Sequence, residues 1–378
     1  MEALEAREDA CGEAPLRMDE RGGQRPLRDL AEVRLAELQA WCVAVGETRW
    51  RAAQVLRWVH RGGARSVEAM TDVSRACRAK LAAAFTIDVL EPVAVEEAQD
   101  GTRKLLFQLG PLHGRRAAVE TVLIPQLDRP EGARDRLTLC VSSQAGCGMG
   151  CAFCATARLG LVRNLRAGEI VGQVRAGMAA AAPRQVTNIV LMGMGEPLAN
   201  YDAVVRALDV LTAPWGYGIS PRRITVSTVG IAPAIPRFIA ETRVNLAVSL
   251  HAPTDAQRQR LVPASRRYGL EAVLAACRAV PLRRRQRITF EYVMLEGEND
   301  GEADARALAE LLRGLRAKVN LIPFNTFPGS TLRPSPRTRI LRFQEILRQH
   351  HLQATIRESR GQDIQAACGQ LAAAQAAT

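Results

Sequence analysis

The sequence predicts an α/β protein: a partial (β/α)6 barrel with a small N-terminal helical domain and a β meander between them. Three observations carry this. From residue 137 onward, short apolar strand patterns alternate with helical ones, which implies parallel strands joined by crossover helices. Residues 28–87 show helical spacing. Between these stretches, Asp100-Gly101 is a hairpin signal flanked by strand patterns.

In chain order, residues 1–27 are polar, Gly-containing and aperiodic, and read as a disordered tail. In the 28–87 domain, Leu30–Leu38 and Ala52–Val59 have helical spacing, with Val55, Trp58 and Val59 on one face. Thr71 or Asp72 is placed to cap the next helix. Trp50 and Trp58 are expected in the core. Residues 88–136 are the meander and linker, with strands at Val93–Ala98, Thr102–Leu109 and Ala117–Ile124 and a polar loop over 126–136. Residues 137–371 form the barrel. Its strands are expected at Leu137–Ser143, Asn188–Met192, Ile224–Thr228, Asn245–Leu250, Ile288–Met294 and Val319–Ile322, with a seventh at Ala354–Arg357. Helices are expected at Ala167–Ala180, Tyr201–Leu211 and Gly301–Leu315, and residues 372–378 form a short tail. In such barrels, functional residues gather at the C-terminal ends of strands.

The 378 residues carry a net charge of +12. A basic balance suits a polyanionic partner. However, the cations are 48 Arg against 3 Lys, a skew that reads as coding bias, so charge alone does not establish RNA binding. No apolar run approaches the ~18 residues a membrane helix needs. The N-terminus lacks the apolar stretch of a secretory signal, and a cytoplasmic protein is expected. Nine cysteines do not form a secreted disulfide pattern. Cys11, Cys42, Cys77 and Cys277 are expected to have no role; the last three lie in helical patterns, where a thiol packs as an apolar group.

The chemistry centres on Cys147-Gly-Met-Gly-Cys151-Ala-Phe-Cys154, just after the first barrel strand. Interleaved Gly146, Gly148 and Gly150 let the loop turn tightly. Thiolates suit zinc, copper(I) or iron–sulfur clusters. Structural zinc needs a fourth ligand, usually from a second short pair, and none follows here. Three thiolates on a four-iron cube leave one iron open to a substrate. Farther on, Gly193-Met-Gly-Glu196 offers exposed backbone and a carboxylate, a common turn type made more telling by the nearby thiols.

C-x₃-C-x₂-C with Phe153 before the last Cys resembles the signature of the radical S-adenosylmethionine (SAM) superfamily. The resemblance runs on through Glu120–Pro125, Leu139–Gln144, Arg163-Asn-Leu165, Met192–Pro197, Ser249–Pro253 and Ala366–Leu371. Across about residues 28–371 the chain is similar to the radical-SAM RNA adenine methyltransferases, which methylate carbon 2 of adenosine in 23S rRNA and tRNA, or carbon 8 in the antibiotic-resistance relatives. Adenine carbons 2 and 8 are poor nucleophiles toward a sulfonium methyl, so a radical route is needed.

The resemblance implies a 4Fe-4S cluster on Cys147, Cys151 and Cys154, and SAM bound by Gly195, Glu196, Ser227, Ser249, Leu250, His251 and Asn325, with two SAM used per turnover. It implies that Cys368 is methylated by the first SAM and that a 5′-deoxyadenosyl radical from the second abstracts hydrogen from that methyl. The resulting carbon radical adds to the adenine. Glu120 then accepts the ring proton, and Cys140 attacks the Cys368 sulfur, leaving a transient Cys140–Cys368 disulfide. On residues alone, Cys140 reads as a buried strand thiol, and Cys368, between Gly361 and Gly369, as a thiol in a mobile loop. The resemblance also makes the 28–87 domain an RNA-holding one, with Arg49, Arg51, Arg57, His60 and Arg61 on phosphates. Partners are an RNA substrate, 23S rRNA and/or tRNA, and an electron donor such as flavodoxin; a monomer is expected. Carbon 2 is favoured over carbon 8. A zinc-stabilised, non-catalytic RNA-binding protein and a radical SAM enzyme with a non-RNA substrate are the alternatives.

Overall fold

A computed structural model describes residues 27–112, 115–126, 135–284 and 286–373. Cys11 and the rest of the expected N-terminal tail up to residue 26 lie outside the described residues, as do positions 127–134 of the polar loop and positions 374–378. The chain divides into two compact units, Met1–Asp88 and Val89–Thr378.

In the first unit, β1 (Arg28–Asp29) pairs in parallel with β2 (Phe85–Thr86), and α1 (Leu35–Ala44), α2 (Arg49–His60) and α3 (Arg75–Ala84) lie between them in sequence. The helical reading from Leu30 is corrected. Leu30–Glu32 is a single 3-10 turn, because Asp29 Oδ1 accepts from Ala31 N (3.0 Å) and Asp88 N (3.1 Å) and caps it there. The third helix is capped by Ser74, whose Oγ accepts from Cys77 N (3.2 Å), rather than by Thr71 or Asp72. Asp72 instead accepts from the Trp58 indole N–H. Val55 and Val59 are buried as expected, and so are Cys42 and Cys77. Trp50, expected in the core, is 59% exposed. On a helix it lies about 140–180° around from Val55 and Val59. The Arg51 guanidinium covers its ring at 4.3 Å. His60 is also corrected: at 4% exposure it packs inside and does not present itself to a phosphate, whereas Arg49, Arg57 and Arg61 are exposed.

The second unit is built on one ten-stranded sheet. Strands β3 (Ala94–Glu97), β4 (Arg103–Leu112), β5 (Arg115–Pro125) and β6 (Leu137–Cys140) run antiparallel. Asp100-Gly101 makes the β3–β4 turn, with Gly101 at φ 75° and Asp100 Oδ1 accepting from Thr102 N (2.9 Å). A small ribbon, β7 (Gln144–Gly146) against β8 (Leu161–Asn164), follows β6 and encloses the cysteine loop with α4 (Ala155–Arg158). Next to β6 the sheet becomes parallel: β9 (Asn188–Leu191), β10 (Ile224–Thr228), β11 (Asn245–Ser249), β12 (Ile288–Met294), β13 (Ala317–Pro323) and β14 (Ala354–Ile356). The crossovers carry α5 (Ala167–Ala181), α6 (Tyr201–Thr212), α7 (Ala234–Thr242), α8 (Asp255–Leu261), α9 (Leu270–Arg278), α10 (Glu302–Leu311) and α11 (Arg337–Gln349). All seven expected barrel strands are present, with ends shifted by at most three residues.

These strands read as apolar runs because both faces are covered. Val226, Leu246, Val248, Phe290, Val319 and Leu321 join one continuous core with the crossover helices. Mid-helix Gln173 is fully buried and links α5 to the mouth. It accepts from Thr121 Oγ1 (2.8 Å) and Ser142 N (2.9 Å) and donates to Ser142 O (3.1 Å).

The sheet is open, with β3 and β14 as its edges. The chain after β14 spans the gap. Gly361 N donates to Asp100 Oδ2 (2.9 Å) and Lys104 Nζ to Ile364 O (2.7 Å), both at the meander end. Asn325 Nδ2 donates to Cys368 O (3.0 Å) and Gln370 Nε2 to Thr326 O (2.7 Å), after β13. The segment expected to be a mobile loop is therefore a packed turn, fastened on two sides.

Candidate active site

The C-terminal ends of the parallel strands open into a cavity of about 150 Å³. Cys147, Cys151, Cys154, Cys140 and Cys368 all line it. Gly195, Glu196, Ser227, Ser249, His251 and Asn325 complete it. Two expected residues do not line it. Leu250 is fully buried. Glu120 sits behind the wall on β5, where Oε2 accepts from Ala372 N (3.0 Å) and Oε1 lies 3.4 Å from Lys104 Nζ. Burial raises the Glu120 carboxyl above its usual range, and Lys104 opposes that shift.

The cysteine loop turns through Gly146 (φ 69°) and Gly150 (φ 72°). At Gly146 a Cβ would stand 1.9 Å from Gly160 O, so no side chain fits. Burial pushes Cys147 up to about 12 and raises Cys151 well above the usual thiol range, and each also feels the neighbouring Cys154. Cys147 and Cys151 therefore hold their protons unless a cation takes the sulfurs, as metal atoms do. Among the described residues no three Cys, His, Asp or Glu side chains are grouped to hold a single ion. Three thiols in one loop, each able to bind a separate iron, are a donor set that fits an iron–sulfur cluster.

Gly195 has φ 98° and packs against Gln144, whose Oε1 accepts from Glu196 N (2.8 Å). The Glu196 carboxylate accepts from Leu198 N (3.1 Å) and Val229 N (2.8 Å), tying the end of β9 to that of β10. Burial still lifts its pKa to about 7, so an ammonium group there would be matched by a carboxylate that lacks a cation. Ser227 Oγ and Ser249 Oγ are 3.2 Å apart at adjoining strand ends. His251 adopts the left-handed φ of 62°, accepts from Val293 N through Nδ1 (3.1 Å) and meets Phe153 edge-on at 4.6 Å. Burial drives its pKa down to about 3, so it is a neutral imidazole carrying its proton on Nε2. Asn325 uses both ends of its amide on the C-terminal segment, donating to Cys368 O and accepting from Gln362 Nε2 (2.7 Å).

Cys140 and Cys368 are both free thiols, so the expected disulfide is not formed here. Burial pushes Cys140 up to about 12 and raises Cys368, and Arg357 draws both back down. Arg357 also faces buried Glu291. Sequence reading missed both, and it missed Arg258, which is fully buried beneath the Ser249–His251 turn. Single arginines among 48 carry no local signal. Glu291 lies inside an apolar run and could have been flagged as a buried carboxylate.

Residues 28–87 match the family described as the ribosomal RNA large subunit methyltransferase N-terminal domain, and residues 141–309 match the radical SAM superfamily. The chain is 48% identical over 343 residues to the dual-specificity RNA methyltransferase RlmN of Syntrophotalea carbinolica, covering 91% of this chain and 89% of that one. It is 48% identical over 355 residues to RlmN of an Anaeromyxobacter species, covering 92% and 91%. Its fold is similar to a crystal structure of a radical SAM methyltransferase from Sphaerobacter thermophilus, with TM-score 0.82, 46% identity, and 92% and 99% of the two chains covered.

Proposed function

Since the chain belongs to the RlmN family of radical SAM RNA methyltransferases, we propose that it methylates carbon 2 of adenosine in 23S rRNA and tRNA. It is an enzyme that uses a 4Fe-4S cluster and SAM. The observation that carries the mechanistic reading is one cavity lined by both the three-cysteine loop and the Cys140–Cys368 pair. When bound, the cluster and SAM supply the methyl group and the one-electron chemistry that an unreactive adenine carbon requires. Cys147, Cys151 and Cys154 hold the cluster. Glu196 receives the SAM ammonium, and Ser227, Ser249 and neutral His251 orient the rest.

Cys368 accepts the methyl on its sulfur and presents it to the base, its turn held by the Asn325 side-chain amide on Cys368 O and the Ala155 N–H on Gly369 O. Glu120 takes the displaced ring proton once its carboxylate exchanges the Ala372 N–H for substrate. Cys140 then gives up its thiol proton and attacks the Cys368 sulfur, the carbon–sulfur bond breaks with its electron pair on carbon, that carbon takes up one proton to become the methyl group, and the methylated base leaves with a Cys140–Cys368 disulfide behind it. The N-terminal unit contributes exposed Arg49, Arg57 and Arg61 to phosphates. A flavodoxin-type protein supplies electrons, and the chain acts as a monomer. Among the described residues no helix is long and apolar enough to cross a membrane.

The test is nucleoside mass spectrometry of unmodified 23S rRNA and tRNA after anaerobic reaction. 2-Methyladenosine is expected in both, and 8-methyladenosine alone would move the chain to the carbon-8 relatives. Cys368→Ala should abolish turnover, and Cys140→Ala should trap RNA covalently on the protein. Full activity of either variant would sink the two-thiol mechanism.

A further inference from the structure

Arg258 on α8 is a fully buried cation whose acceptors are all backbone carbonyls. Its guanidinium donates to Leu250 O (3.0 Å), Ser249 O (3.2 Å), Val229 O and Tyr268 O (3.5 Å). Among the described residues it forms no ion pair with a carboxylate. Asp255, three residues earlier on α8, acts on it without an ion pair. A buried charge with no paired counter-ion is costly, and four neutral carbonyls would be bridged as well by a neutral donor. The element that carries it is bonded to the cysteine loop: Ala152 N donates to Leu261 O (2.9 Å), and Ala264 N to Met149 O (3.3 Å). Val229 and Ser249, whose carbonyls hold the guanidinium, line the same cavity as Cys147, Cys151 and Cys154.

We propose that Arg258 is a positioning residue that serves as the built-in counter-charge of the cluster, favouring its reduced state while fixing the strand-end turns around SAM. The proposal rests on the reading that Cys147, Cys151 and Cys154 hold the 4Fe-4S cluster. Three thiolates already make the loaded site anionic, and one-electron reduction adds another negative charge. A fixed cation in a low-dielectric site stabilises that added charge more than the oxidised state. The electron comes from the external donor, and no bond to Arg258 forms or breaks. A purely mechanical strap would hold the same carbonyls without moving the potential.

The experiment is an anaerobic redox titration of the reconstituted full chain, following the reduced cluster by electron paramagnetic resonance. Wild type is compared with Arg258→Met, which removes the charge, and Arg258→Lys, which keeps it with fewer hydrogen bonds. The midpoint of Arg258→Met is expected to shift negative, beyond the scatter of repeat titrations, while that of Arg258→Lys stays near wild type. A loaded Arg258→Met with an unshifted midpoint would overturn the proposal alone. If Arg258→Met does not fold, Arg258→Gln, which removes the charge and keeps an N–H donor, takes its place: a negative shift supports the counter-charge, and an unshifted midpoint overturns it. A wild-type protein that takes up no iron would overturn the ligand reading and this proposal with it.

Discussion

Replacing Gly195 by alanine tests how the SAM turn is built. An added Cβ would stand 2.5 Å from Gln144 Cβ, 2.7 Å from its backbone N and 2.8 Å from its Cγ. Backbone cannot step aside as a flexible side chain can. The φ of 98° adds strain for any residue with a Cβ. Left-handed backbone costs about 1–2 kcal/mol and overpacking about 1–3 kcal/mol, so the loss is about 2–5 kcal/mol. Domains are stable by about 5–15 kcal/mol, so the variant folds but melts early. Gln144 also holds Glu196 N and, through Nε2, Asn164 Oδ1 (2.7 Å). Pushing it aside moves the carboxylate meant for the ammonium. SAM affinity should fall by at least about tenfold, equivalent to about 1.4 kcal/mol. Urea unfolding and equilibrium dialysis of SAM with the reconstituted protein measure the two losses. Gly101→Ala is the control: φ is 75°, but the nearest atom is Pro125 Cγ at 3.7 Å. It should cost about 1–2 kcal/mol from backbone strain alone and leave SAM affinity unchanged. Wild-type stability and SAM affinity in Gly195→Ala would refute the packing argument.

Two further predictions concern the N-terminal unit. Burial raises the Asp29 pKa from 3.8 to about 6, against two opposing N–H donors. A raised carboxyl favours the fold below pH 3.8, and that advantage is lost as pH rises through about 6, a swing of about 3 kcal/mol. Both N–H groups bond the same oxygen, Oδ1, which asparagine keeps, so Asp29→Asn should flatten the profile and stabilise the unit at pH 8. Tryptophan fluorescence reads this, since three of the four tryptophans lie there, and a more negative slope in the variant would contradict it. Exposed Trp50, backed by Arg51, offers a stacking face, and Trp50→Ala should weaken RNA binding by about 1–3 kcal/mol with little change in melting. Unchanged affinity in a filter-binding titration would remove Trp50 from the RNA surface.

The parallel strands were legible because burial on both faces writes them as apolar runs, as in Leu246–Val248 and Ile288–Met294. The β7–β8 ribbon was not, since three or four residues carry no period. Trp50 was misjudged by treating every aromatic in a helix as inward, where its angle from Val55 and Val59 decides the matter. The cysteine loop announces itself through spacing. Cys140 and Cys368 do not, because they lie 228 positions apart and only the tertiary fold brings them to one cavity. Glu120 was found by resemblance, yet its place behind the wall depends on Lys104 and Ala372, whose contacts no local pattern encodes.

The turn that carries Cys368 is fastened at Asp100, Thr326 and Ala155, the last through a 2.7 Å bond to Gly369 O. A sulfur held this way is a fixed station, not a swinging arm. Its own freedom is one side-chain rotation. On the proposed two-thiol route, donor, base and resolving thiol come within that short radius in succession. On that route the adenine leaves its stack and travels to full depth, because the methyl group is not carried out to meet it. Discrimination among RNAs then falls on how readily a given adenosine makes that journey.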